Sequence, residues 1–232
     1  MEYDAHYQLI HDNLCDLSHL DFVHGETLGR VSATSWSKAM PRITNQGMAL
    51  RFEQWFTNAK ADDSGTLLVD LWSSYDFALP GVFLMETRQF PTGTASFCEM
   101  KPPSATLQPL FIRYEQQAVT PINTGRTAYH YATGFQAGTV PADMLEPAFI
   151  VVTEAFEEDR LMIQAQQRAW NIAPPDAPKF FMPQDRGPFL MRRMIERLIR
   201  DEAQQMPGGP VSGQSHAGTA ASSPTRAERA GA

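Results

Sequence analysis

Asn13-Leu14-Cys15-Asp16-Leu17-Ser18-His19-Leu20-Asp21-Phe22-Val23-His24 places residues with ligand and proton chemistry inside a segment that must also bury leucines. From Tyr7 to Val23, Leu9, Ile10, Leu14, Leu17 and Leu20 recur near helical spacing, so the stretch reads as one helix punctuated by Gly25. At ~100° per residue, Asn13 and Asp16 lie about 60° apart, Asp16 and His19 likewise, and Asn13 and His24 about 20° apart. These groups share one broad stripe. His19 and His24 are the awkward pair, because five residues rotate by about 140°. One π-type turn between them brings both imidazoles to one side, and such bulges occur at functional sites. Two converging imidazoles are half a metal site. A carboxylate on the same face completes the two-His, one-carboxylate set that leaves positions open on ferrous iron. A His-x4-His pair often arises by accident, so the signal lies in the company of Asn13 and Asp16, since polar groups are costly to bury unpaired.

Beyond Gly25 the period changes. Arg51 to Phe56, Thr66 to Trp72, Gly81 to Arg88, Ala95 to Met100, Leu110 to Val119 and Thr127 to Phe135 are β-branched, aromatic or alternating runs, and each reads as a strand. Strands that follow one another without intervening helices pair antiparallel. Helical rhythm returns from Met144 to Ala169 through Leu145, Phe149, Val152, Phe156, Leu161 and Ile163, with Glu157 to Asp159 the place where a break would fall. A last helix is expected from Pro188 to Ala203, where Phe189, Met191, Met194, Ile195, Leu198 and Ile199 form an apolar stripe opposite Arg192, Arg193, Arg197 and Arg200. That arginine face reads as solvated and carries no function. The order helix, sheet, helix, helix predicts an α+β domain, an antiparallel β-sheet covered on one face by helices. From Gln204 the chain reads QQMPGGPVSGQSHAGTAASSPTRAERAGA, with little to bury. Residues 204–232 are therefore expected to be a disordered tail, with His216 solvated in it, and residues 1–203 the folded domain.

With 232 residues, 43% of them hydrophobic, the chain can bury one sizeable core. Its 19 basic and 26 acidic residues leave a formal net charge of -7, a surface that repels phosphate backbones and argues against nucleic acid as a partner. No apolar run approaches the ~20 residues of a membrane span. Met1 to Asn13 has neither the basic nor the apolar region of a secretory leader. Cys15 and Cys98 are too few for a disulfide framework and suit a reducing cytoplasm, as small buried apolar groups.

The pattern Asn13-x2-Asp16-x2-His19-x4-His24 resembles the iron-binding helix in the oxygenase components of Rieske non-heme iron oxygenases. Its wording, YQLIHDNLCDLSHLDFVHGETLG, is most similar to the vanillate O-demethylase and dicamba monooxygenase group. A second block, Ala155-Phe156-Glu157-Glu158-Asp159-Arg160-Leu161-Met162-Ile163-Gln164-Ala165-Gln166-Gln167, resembles the segment that supplies the carboxylate ligand. Asp185-Arg186-Gly187, followed by Arg192-Arg193-Met194-Ile195-Glu196-Arg197-Leu198, is similar to the closing helix. The resemblance covers about Tyr7 to Glu202 and implies a helix-grip, START-like catalytic domain with Fe(II) held by His19, His24 and Asp159. The residues alone leave the carboxylate open among Asp159, Asp21, Glu26, Glu157 and Glu158. Asp16 matches a bridging aspartate that hydrogen-bonds an iron-ligating histidine and links it, across a subunit boundary, to a cluster ligand. It would thereby fix the tautomer of His19 or His24. Asn13 matches an asparagine that lines the iron pocket. His130, in Arg126-Thr127-Ala128-Tyr129-His130-Tyr131, falls on a strand that faces substrate in the family, although a strand histidine is ordinarily a core residue. His6 and His11 have no matching role and read as surface or helix-packing groups. Trp36, Trp55 and Trp72 read mainly as core, with an aromatic pocket wall as the alternative.

Oxygenase subunits of this family carry an N-terminal [2Fe–2S] domain with Cys-x-His and Cys-x2-His ligands. Neither pattern occurs in this sequence. The expectation is an oxygenase catalytic domain with no [2Fe–2S] cluster in this chain. It would take electrons from a separate Rieske cluster-bearing protein and an NAD(P)H-dependent reductase or ferredoxin. With O2 it would hydroxylate or O-demethylate a small aromatic substrate. The family assembles as head-to-tail trimers, and a chain without the cluster domain is expected to be monomeric or weakly associated. Two other readings stay open: a family member that binds an aromatic ligand without turnover, and a zinc hydrolase on the same three ligands.

Overall fold

The computed structural model describes residues 1–25, 27–28, 36–38, 40–61, 66–174, 176–177 and 180–205. Glu26, His216 and the expected tail beyond Gln205 lie outside the described residues. Contacts divide the chain into Met1–Glu196 and Arg197–Ala232. The described part of the second unit is the end of the last helix.

Among the described residues, seven strands form one antiparallel sheet: β1 (Glu2–Tyr3), β2 (Arg42–Asn45), β3 (Ala49–Lys60), β4 (Leu68–Ala78), β5 (Val82–Pro91), β6 (Phe111–Asn123) and β7 (Arg126–Phe135). Their spatial order is β1-β7-β6-β5-β4-β3-β2, a meander from β2 to β7 with β1 added at the far edge. The helices are α1 (Tyr7–Cys15), α2 (Leu20–Val23), α3 (Thr94–Phe97), α4 (Leu145–Ile172) and α5 (Arg186–Gln205). Period-two alternation sends Phe52, Tyr75, Phe77, Phe83, Val119 and Tyr129 to one sheet face. There they pack with Ile10 and Leu14 of α1, Val152, Phe156 and Ile163 of α4, and Met191 and Ile195 of α5. A nine-residue helix such as α1 is marginal alone, so this packing holds it. The α+β architecture with one helix-covered face is the one the sequence predicts.

Two local readings need correction. Ala95–Met100 is not a strand. Buried Asp70 accepts hydrogen bonds from the backbone amides of Asn58 (3.2 Å) and Ala95 (2.9 Å). With Gly93 at φ +92°, this starts the single turn α3 instead. Trp55, Trp72 and Phe90 pack beside it as a small cluster separate from the main core. α4 runs unbroken through Glu157–Asp159. The edge strands β1 and β2 had no sequence signal, being short and half exposed.

α4 is docked in a definite register against the N-terminus. Gln164 Oε1 accepts from Asp4 N (3.0 Å) and Gln167 Oε1 from His6 N (2.8 Å). Tyr3 donates its hydroxyl to the Phe156 carbonyl (3.1 Å). From His6, held at Gln167, the chain runs back along α4 to Asn13, whose Nδ2 reaches Asp159.

His11 lies on the covered face against Tyr7 and Phe77, and neither ring nitrogen has a partner. Burial, with a smaller push from His6, drives its pKa down to about 3. Between that value and the ordinary 6.5 the unfolded chain binds the extra proton, so His11 removes stability as pH falls through this window. His11→Leu is therefore expected to raise stability by ~1 kcal/mol at neutral pH and by more at pH 5. Thermal melts at the two pH values check this. A variant that melts below the wild type would show that the imidazole is partnered after all.

Candidate metal centre

The predicted single helix breaks at Asp16, and no π-type turn follows. Asp16 is extended (φ -129°, ψ 95°), and its carboxylate accepts from Ser18 N at 2.8 Å. This is the usual way an aspartate competes with helix continuation and caps the next turn. The chain then passes through a 3-10 turn (Leu17–His19) and α2. His24 ends α2 as its C-cap. The break, rather than a bulge, brings the two imidazoles together, with ring centroids 5.3 Å apart.

Both rings present Nε2 to one carboxylate oxygen. His19 Nε2 lies 3.5 Å and His24 Nε2 3.2 Å from Asp159 Oδ1. Ligand atoms of the three residues all fall within 4.8 Å of one another. The tautomers follow from what stands behind each ring. His19 Nδ1 is in close contact with the Asp16 main-chain carbonyl, which can only accept, so that nitrogen carries the proton. His24 Nδ1 lies 2.8 Å from Glu158 Oε2, and Thr27 donates its hydroxyl to the same oxygen at 2.7 Å. Both Nε2 lone pairs therefore point inward. Asn13 Nδ2 donates to Asp159 Oδ1 at 3.0 Å. His24 is 1% exposed and Asp159 5%. Burial lowers the pKa of His19 despite the pull of Asp159. Burial also opposes protonation of His24, but Asp159 and Glu158 together outweigh it and raise its pKa. Two inward lone pairs and a carboxylate, in a dry site, call for a cation between them. Nitrogen and oxygen donors of this kind fit Fe(II).

Of the carboxylates left open by the sequence that are among the described residues, only Asp159 meets both rings. Asp21 accepts from the backbone of Trp36 and Ser37, and Glu157 pairs with Arg160. Glu158 stands behind His24 rather than at the centre. Asp16 supports His19 through its carbonyl, not through its carboxylate as expected. Its side chain instead joins Cys15, Ser18, Trp36, Phe52, Gln54 and Tyr75 around a crevice. Spacing gave no hint of Glu158 or Thr27 as supports of His24. His130 is a correction: Tyr129 and Tyr131 pack on Phe156 of α4, so the residue between them points to the opposite sheet face, where it is exposed.

Residues 3–201 match the vanillate O-demethylase oxygenase C-terminal domain. The chain belongs to that family. It is 31% identical over 214 residues to a putative toluene-4-sulfonate monooxygenase system iron-sulfur subunit of Comamonas testosteroni, covering 87% of this chain and 58% of that protein. The chain thus spans well under two thirds of the curated relatives it matches. Dicamba monooxygenase bound to 3,6-dichlorosalicylic acid superposes with a TM-score of 0.73 at 17% identity, covering 88% of this chain and 58% of that one. A dicamba monooxygenase structure with non-heme iron and dicamba gives 0.61 at 16% identity, covering 89% and 57%. At these identities the structures show a common fold. Among the described residues no helix is long and apolar enough to cross a membrane.

Proposed function

We propose that residues 1–203 are the catalytic domain of a Rieske-type oxygenase that holds one Fe(II) through His19, His24 and Asp159 and oxidises a small aromatic substrate. The convergence of two Nε2 atoms and one carboxylate oxygen in a buried site carries this reading. It is supported by the family membership and by the non-heme iron named in the dicamba monooxygenase structure. Bound there, ferrous iron supplies the activation of dioxygen, with electrons from a cluster-bearing protein and its reductase or ferredoxin. The chain's own residues do the rest. Asn13 holds Asp159 Oδ1 in place, and the Asp16 carbonyl and Glu158 fix the two rings with their lone pairs inward. Close packing around His24 and Asp159 excludes water. In this reading the Asp16 carboxylate, which lines a crevice beside His19, is the group expected to face the electron-donating partner. The sulfonate named for the Comamonas relative suggests an arene bearing an acid group. Metal analysis after anaerobic reconstitution tests the centre: one iron per chain is the expected result. Iron that stays at background in folded wild-type protein would overturn it.

A further inference from the structure

The helix-covered face of the sheet carries a row of polar side chains where the alternation would favour apolar ones. Gln54 of β3 pairs with Ser73 of β4, Ser73 with Thr87 of β5, and Thr87 with Arg113 of β6, so the four lie side by side across adjacent strands. The next row on the same face is Phe52, Tyr75, Met85, Glu115 and Thr133. Gln54 Oε1, Ser73 Oγ, Arg113 Nε and Thr133 Oγ1 are all buried without a hydrogen-bond partner. Ser73 is fully buried. Unpaired polar atoms of this kind are rare in folded proteins and expensive, and four within two neighbouring rows demand a common cause.

Their position supplies one. Gln54, at one end, lines the crevice that Asp16 and Ser18 also line, directly before His19. At the other end Arg113 pairs through Nη2 with Glu115 at 2.9 Å, leaving its Nε edge unused. Glu115 and Asp159 both lie within electrostatic reach of the Tyr129 hydroxyl, whose pKa burial chiefly raises. The Gln54 end of the row thus opens on the segment that leads into the candidate ligands.

We propose that Gln54, Ser73 and Arg113, with Thr133 beside them, bind the acid group of the substrate, a sulfonate or carboxylate on an aromatic ring. This rests on the oxygenase reading above and assigns the polar end of the same site. The Arg113 Nε–H and the hydroxyls of Ser73 and Thr133 are donors; the unpaired Gln54 Oε1 is an acceptor, so Gln54 serves an acid group only with its amide turned over to present the NH2 group. An acid group is acceptor-only, which matches. Because Glu115 already balances the guanidinium charge, recognition works through directed hydrogen bonds rather than through net field. A neutral ring would leave these groups unpaired and be rejected for that reason.

The full chain, without added metal, is titrated calorimetrically with benzenesulfonate and with its neutral isostere benzenesulfonamide, and likewise with benzoate and benzamide. At least about a tenfold preference for the acids is expected in the wild type. That preference should fall to near parity in Arg113→Gln and several-fold in Ser73→Ala. The serine variant removes one oxygen and keeps the test open should the arginine variant misfold. Equal binding of acid and amide by the wild type, binding of neither, or a preference that survives in folded variants would each overturn the proposal. Iron content is read on the same preparations. Iron at the centre without acid preference fails this inference alone, and acid preference without iron fails the metal reading alone.

Discussion

Asp159→Ala is expected to drop iron from one per chain to background, whereas Glu158→Gln keeps the site and weakens it by about 10–100-fold. The two carboxylates are adjacent in sequence but do different things. Asp159 Oδ1 is the oxygen on which both Nε2 atoms converge, so its loss removes one of three donors. Glu158 touches only the outer nitrogen of His24. As a carboxylate it makes that imidazole a stronger donor and holds its orientation, and the amide of Gln keeps an acceptor while removing the charge. Asp159→Ala would also leave Asn13 Nδ2 without its acceptor, at ~1–3 kcal/mol. Asp159→Asn is therefore the matched control: it keeps an oxygen for Asn13 and should fold well, yet hold iron poorly. Anaerobic Fe(II) titrations with parallel thermal melts separate these effects. Full iron retention in Asp159→Asn, or an unchanged affinity in Glu158→Gln, would show that the roles are misassigned.

The contrast also shows what the sequence could and could not disclose. Periodicity gave the sheet and the two long helices, because Phe52, Tyr75 and Phe77 alternate and Val152, Phe156 and Ile163 repeat at helical spacing. It failed at Asp16. An aspartate inside an apolar repeat reads as a polar group on a helix face until its carboxylate is seen to take Ser18 N and turn the chain. Asp159 could not be selected by spacing, since its partners lie 135 and 140 residues away and only the register of α4 against the N-terminus brings them together. The resemblance supplied Asp159, but its implied side-chain contact from Asp16 to a histidine is replaced here by a main-chain one. His130 was misplaced for the simplest reason: one residue of strand phase decides the face. The polar row from Gln54 to Arg113 is visible only once strand register is known.

Gly187→Ala is expected to cost the fold about 3 kcal/mol, the upper end for overpacking, and to weaken metal binding with it. A methyl at this position would stand 2.4 Å from the Cys15 carbonyl oxygen and 2.7 Å from Phe52 Cε1. Neither neighbour is the free end of a flexible side chain that could swing aside. The carbonyl is backbone at the end of α1, and Phe52 is fully buried and stacked on Tyr75, with centroids 4.5 Å apart and planes 8° from parallel. Relief must therefore come from moving α5 away from α1, or from moving the Cys15–Asp16 peptide. The second movement displaces the Asp16 carbonyl that orients His19, so the damage reaches the metal centre without touching a ligand. Gly134→Ala is the control, since a methyl there meets nothing within 4 Å and should leave stability nearly unchanged or slightly higher. For a domain of this size the Gly187 variant should melt roughly 6–12 °C lower. An unchanged melting temperature would mean that α5 does not close on α1 as tightly as these contacts require. A lower melting temperature with unchanged iron affinity at low temperature would show instead that the strain is absorbed by α5, leaving the Asp16 carbonyl where it stands.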